Sequence, residues 1–242
     1  MSATKWVDSS EARRATRHSD HRAARRTAIV VAAAATIAES GIPLRTARVA
    51  ARAGVPRPHV YRHFDSKDDL GDEVARYAAA ALAERVRPAL SRSGTPPEII
   101  HGVIAEVVGW ADENPNLYRF VAARQHTKTF AVDHSGRHFF MAELSNALTA
   151  YVRTQADEAA PDGILAGLIG MVDASIIWWL DHPDEDVAHV IDRLARQVWL
   201  ILADTATTMN VPIGDDTWLT LPGQQELAPG SHVVSRKYKY RR

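Results

Sequence analysis

Charge is the property of this 242-residue chain most suited to chemistry, and it is unevenly placed. Residues 1–64 hold 12 Lys and Arg against 4 Asp and Glu, residues 65–235 hold 12 against 25, and the last seven, RKYKYRR, hold five more bases. Formal net charge is zero, so the separation carries the information. A basic head attracts phosphates, and an acidic body repels a polyanion from the wrong face. A second candidate chemistry is metal binding, since His134 and His138 lie four apart and share one face of a helix. HExxH is absent and no acidic third ligand has motif spacing, so the pair reads as surface histidines. Without cysteine there are no disulfides, thiolate metal sites or cysteine nucleophiles. There is no P-loop, GxGxxG or GxSxG, and nothing pairs a nucleophile with a base. The expectation is a protein that is not an enzyme, with no metal site and no cofactor.

The elements that must position the basic residues are helices. Apolar residues recur at helical spacing, with turn residues between and almost no period-two alternation. Helices are expected over 21–39, 44–53, 57–63, 67–87, 97–113, 116–127, 135–157, 162–181 and 184–209. Ser66 with Asp69 and Thr95 with Glu98 have capping-box spacing, and Pro88, Pro115, Pro161 and Pro183 are expected between helices. Arg25-Arg26 before TAIVVAAAATIA imitates a secretory or twin-arginine signal. Ile29, Val30, Ala33, Ala34 and Ile37 recur as in an amphipathic helix, however, and Glu39-Ser40-Gly41 closes it like a helix end.

Residues 44–70, LRTARVAARAGVPRPHVYRHFDSKDDL, concentrate the functional signal. Val49, Ala50 and Ala53 form a small apolar stripe, Gly54-Val55-Pro56 supplies a tight turn, and Val60 and Phe64 anchor the next helix. Small residues and a Gly turn let two short helices cross closely and steeply. That is helix-turn-helix geometry, whose second helix enters the major groove of DNA.

GVPRPHVYRHFDSKDDL resembles the signature of TetR-type regulators, and the resemblance extends over residues 25–75. It implies an all-α fold: an N-terminal three-helix bundle with a helix-turn-helix, then a C-terminal helical ligand-binding and dimerisation domain. The corresponding divisions are a flexible basic arm 1–20, a DNA-binding domain 21–66, an effector and dimer domain 67–209, and an irregular tail 210–242. Arg45 and Pro56 stand where the family usually has capping Thr and Ser. By resemblance, Arg57, Pro58 and His59 face base edges, Arg57 as a fork for guanine and Pro58 against a thymine methyl. Arg62 belongs to the same recognition helix. Tyr61, His63 and Lys67 match phosphate clamps, and Thr46 and Arg48 touch the DNA backbone from the preceding helix. Arg13, Arg14, Arg17, Arg22, Arg25 and Arg26 are candidates for a minor-groove arm.

In the body, 162–181 is apolar nearly all round, so burial on several sides is expected. Asp173 and Ser175 interrupt it as a membrane span, and Gly163, Gly167 and Gly170 leave room for close helix approach. The resemblance pairs it and 184–209 with their copies in a homodimer. An effector pocket is expected around Trp110, Phe120, Arg124, Phe139, Met171, Asp173 and Trp178. The implied partners are double-stranded operator DNA, a second copy of the chain and a small hydrophobic effector, a fatty acyl or other lipid-like molecule among the candidates. No membrane is implied, and the cytoplasm is the expected location. Two other readings stay open: an effector-independent DNA-binding regulator, and a helical small-molecule-binding protein or enzyme whose basic head is incidental.

Overall fold

The computed structural model describes residues 4–41, 43–127, 144–146, 149 and 162–220. These residues contain α1 (Thr4–Ser40), α2 (Thr46–Arg52), α3 (Arg57–His63), α4 (Lys67–Leu90), α5 (Pro96–Glu113), α6 (Pro115–Thr127), α7 (Asp162–Asp181) and α8 (Val187–Thr208), and no strand. The all-α class expected from the sequence is the class adopted. Most of the expected helix 135–157, with His134, His138 and Phe139, lies outside the described residues.

One difference concerns the N-terminus. The segment expected as an irregular arm is helical from Thr4. Thr4–Ser40 contains neither Gly nor Pro, and a helix nucleated elsewhere extends by one hydrogen bond per added residue. Its anchor is Ile29, Val30, Ala33 and Ile37, all buried. α1 stops at Gly41, whose φ of +67° ends the helix while its N–H still bonds the Ile37 carbonyl at 2.8 Å.

α2 and α3 cross through the turn at Gly54, whose φ is +63°. The Val55 N–H returns to the Ala50 carbonyl at 3.0 Å and the Gly54 N–H to Ala51 at 3.2 Å. Val49, Ala50, Val60 and Phe64 then meet α1 in a core that continues without a break into the body. The departures at Arg45 and Pro56 are visible as helix starts with no side-chain cap.

α4 starts at Ser66, whose hydroxyl accepts from the Asp69 N–H at 3.0 Å, while the Asp69 carboxylate accepts from the Asp65 N–H. Pro88, expected between helices, lies inside the last turn of α4. A proline there forfeits one hydrogen bond near a helix end that frays anyway, and Ser91 restores polar pairing through its hydroxyl to the Arg87 carbonyl at 2.8 Å. α5 begins with the expected Thr95–Glu98 pairing, the Thr95 N–H donating to the Glu98 carboxylate at 2.9 Å.

α5 packs between α4 and α8, and α6 joins α1, α4 and α7. α7 buries Leu165, Leu168, Val172, Ile176 and Trp179 along one side only. Its opposite side exposes Gly163, Gly167, Ala174 and Trp178, so burial on several sides is not achieved within one chain. Gly163–Asp181 is long and apolar enough to cross a membrane by composition. After α8, residues 210–220 form a strap rather than a loose tail. Leu219 exchanges both main-chain bonds with Gly94, at 2.9 and 3.1 Å, and Asp215 accepts from the Trp199 indole at 2.9 Å.

Candidate nucleic-acid interface and inner cavity

α3 presents an open edge. Arg57, Pro58, Tyr61 and Arg62 are exposed, His59 and His63 are half-buried, and Val60 alone is buried within the helix. The one buried position fixes the rotation of α3 and leaves the polar side chains together on the other face. Arg62 lies 3.3 Å from the His59 ring nitrogen, and Lys67 is exposed at the start of α4.

Tyr61 is set from α2. Its hydroxyl is 3.3 Å from Thr46 Oγ1. The Thr46 hydrogen bond, then Arg57 beside it, holds the phenol pKa below its usual 10.0. Thr46, expected to touch DNA backbone, is itself buried. Arg48 is exposed and donates to Ser40 Oγ at 2.8 Å.

His63 is held differently. Burial, then the positive field of Arg22, Arg62, Arg25 and Arg26, keeps its pKa below 6.5. At neutral pH it is therefore an uncharged imidazole, not a cationic clamp. Among the arginines considered for a minor-groove arm, Arg26 has structural work. It donates to the His63 carbonyl and to Glu73, and its guanidinium lies 4.3 Å from the Phe64 ring centroid. Arg13, Arg14 and Arg17 sit on α1.

The body encloses a cavity of about 230 Å³. Trp110 and Asp173 line it, with Tyr118, Ile104, Leu168, Val172 and Trp199. Other residues expected there are elsewhere. Trp178 is 65% exposed and stacks on His182 with ring centroids 3.9 Å apart. Phe120 and Met171 pack in the core outside the cavity lining. Arg124 reaches α4 instead, donating to the Asp68 carbonyl at 2.8 Å and to Asp72 at 2.8 Å. Phe139 lies outside the described residues.

Tyr118 was legible as an aromatic but not as a cavity residue paired to Asp173. It donates to Asp173 Oδ1 at 2.7 Å, and burial, then the Asp173 charge, pushes its pKa well above 10.0. The strap was missed entirely, although Val211, Ile213 and Leu219 close one end of the cavity. Their only sequence signal is three apolar residues in a stretch otherwise rich in Pro, Gly and Asp.

Residues 29–74 match the model of the family described as bacterial regulatory proteins, tetR family. The nucleoid occlusion factor SlmA of Marinomonas sp. (strain MWYL1) is 29% identical over 100 residues, 41% of this chain and 51% of that protein. The chain thus matches only about half the length of that relative. An uncharacterized HTH-type transcriptional regulator of Mycobacterium tuberculosis is 26% identical over 189 residues, covering 75% and 79% of the two chains. A TetR transcriptional regulator from Rhodococcus sp. RHA1 has the same fold, with a TM-score of 0.60 at 17% identity over 76% of this chain and 98% of that one. FadR from Bacillus subtilis, solved in complex with stearoyl-CoA, gives a TM-score of 0.53 at 17% identity over 71% and 96%. With its headpiece motif in place, its helices in the same arrangement and its matched segment spanning α2 and α3, the chain belongs to the TetR family of bacterial regulatory proteins.

Proposed function

We propose that the protein is a cytoplasmic transcriptional repressor that binds a palindromic operator as a homodimer and is released by a small hydrophobic effector. The observation that carries DNA reading is the open edge of α3, where Arg57, Pro58, Tyr61 and Arg62 are exposed together on a helix fixed by buried Val60. Arg57 and Pro58 then meet bases, while Tyr61, Lys67 and the basic face of α1 meet phosphates. The divisions follow: 21–66 as headpiece, 67–209 as effector and dimer domain.

Dimerisation is supported by the outer face of α7 and α8. A Cβ added at Gly163, Gly167 or Gly170 meets nothing within 4 Å, and Trp178, Leu200 and Ile201 are exposed beside them. Two copies packing these faces form a four-helix interface. The effector is supported by the cavity, and a lipid-like molecule is in keeping with the FadR complex with stearoyl-CoA. Release requires an effector that binds the DNA-incompetent state better. α4 is the natural lever, since Lys67 stands at one end and Leu90 lines the cavity at the other.

Selection of bound sequences from random duplexes tests the reading. The expected result is an imperfect palindrome whose binding weakens steeply with salt. Unenriched sequence pools would refute sequence-specific regulation.

A further inference from the structure

Resting on the reading of the cavity as the effector site, we propose that its ligand is an elongated lipophilic amine, its ammonium head on the Asp173–Tyr118 pair and its apolar body running along α5. Three observations carry this.

The first is the shape. The lining runs along α5 from Pro96 to Trp110, a rise of about 21 Å at 1.5 Å per residue. A cavity of about 230 Å³ stretched over that length is narrow, and suits a chain better than a globular drug.

The second is the chemistry of the lining. Among the described residues it is apolar apart from Tyr118, Asp173, Thr205 and two tryptophans, and it includes no Lys, Arg or His. Thr205 directs its hydroxyl to the Ile201 carbonyl, and the Trp199 indole donates to Asp215. The carboxylate is therefore the one ionisable acid on the described lining. It lies on the same stretch as Trp110 and Tyr118, so the cavity has one polar end.

The third is the sign of that end. Tyr118 keeps its proton and donates it to Asp173 at 2.7 Å, which leaves the carboxylate as acceptor. A carboxylate offers about four lone-pair sites, more than one phenol fills. The nearby arginines of α6 serve other acids: Arg119 binds Asp181 and the Leu180 carbonyl, and Arg124 binds Asp72 and the Asp68 carbonyl. A ligand carboxylate or phosphate at this end would meet a like charge in low dielectric, whereas an ammonium donates to it.

Calorimetric titration of the full chain with decylamine, decanol and decanoic acid, all below their micellar concentrations, separates head from tail. The amine should bind at least about tenfold more tightly than the acid, with the alcohol between them. Asp173→Asn, which still accepts from Tyr118, should abolish the amine's advantage and retain alcohol binding. Tyr118→Phe, a second variant, should retain the amine preference because the carboxylate remains. Acid binding as tight as amine binding, binding of none of the three, or an amine preference intact in Asp173→Asn would overturn the assignment. Operator affinity of the amine-saturated protein separates this from the regulatory reading. Amine bound with operator affinity unchanged leaves the ligand class standing and removes its role as effector.

Discussion

Gly71→Ala tests how the lever is held to the body, because two effects of known sign oppose each other there. Replacing an interior helical glycine with alanine stabilises a helix by about 1 kcal/mol. Here, however, the new Cβ would stand 2.7 Å from both Cζ and Nη1 of Arg124. The guanidinium must leave, breaking its bonds to the Asp68 carbonyl and Asp72 and its position 5.5 Å from the Phe120 ring centroid. Arg124 and Asp72 side chains are 20% and 26% exposed, so the ion pair is worth about 1 kcal/mol. The main-chain bond adds about 1 kcal/mol, and the ring contact about 0.5 kcal/mol. The loss wins, and Gly71→Ala should destabilise by about 1–1.5 kcal/mol, a fall of about 2–6 °C in melting temperature for a chain of this size. Arg124→Ala should lose about 2–2.5 kcal/mol by the same sum. The decisive variant is the double one. With the guanidinium gone, Gly71→Ala recovers its helix gain and should stabilise the Arg124→Ala protein by about 1 kcal/mol. Urea denaturation of all four proteins measures the cycle. A Gly71→Ala effect of the same sign in both backgrounds would refute the clash as its cause.

Other consequences are as direct. Arg57→Ala should cost about 1–3 kcal/mol of operator affinity and relax one base pair per half-site, read from selected sequences; an unchanged sequence preference would remove Arg57 from base reading. Gly54→Ala should cost about 1–2 kcal/mol of stability from the left-handed backbone alone, since its Cβ meets nothing within 4 Å, and Gly54→Asn should cost less on the same denaturation curve. Gly167→Leu should convert a dimer to a folded monomer by light scattering with circular dichroism unchanged; a wild-type monomer at micromolar concentration would remove the interface. His63 has a folded pKa below its unfolded 6.5, so the unfolded chain takes up the proton first as pH falls. Its stabilisation is present above about pH 6.5, declines below it, and levels off beneath the folded pKa. His63→Gln should flatten that part of the stability profile.

The headpiece was legible because its signals are local. Gly54 needs a positive φ, and Val60 and Phe64 lie one turn apart, so sequence spacing alone orients α3. The cavity was less legible because its lining depends on helix rotation, which only tertiary packing sets. α7 is apolar on every side, and its pattern therefore carries no phase. At about 100° per residue, Met171 and Trp178 lie far around the helix from Asp173, and Asp173 is the one that lines the cavity. The same offset separates Phe120 from Tyr118 on α6. Arg124 was misplaced for a different reason: its partners, Asp68 and Asp72, are more than fifty residues earlier in the chain. The Pro88 boundary failed because the penalty for proline nearly vanishes in a last turn.

The strap that carries Leu219 onto Gly94 also sets a clock. A molecule passing that end of the cavity must wait for two main-chain bonds and the Trp199–Asp215 bond to open. At about 1 kcal/mol each, that opening is populated on the order of once in a hundred. Exchange by this route is then gated by the protein rather than by encounter, so residence time can be long even where affinity is modest. Shortening that time should need no change in the cavity at all, only a proline at Leu219, where the main-chain N–H is required.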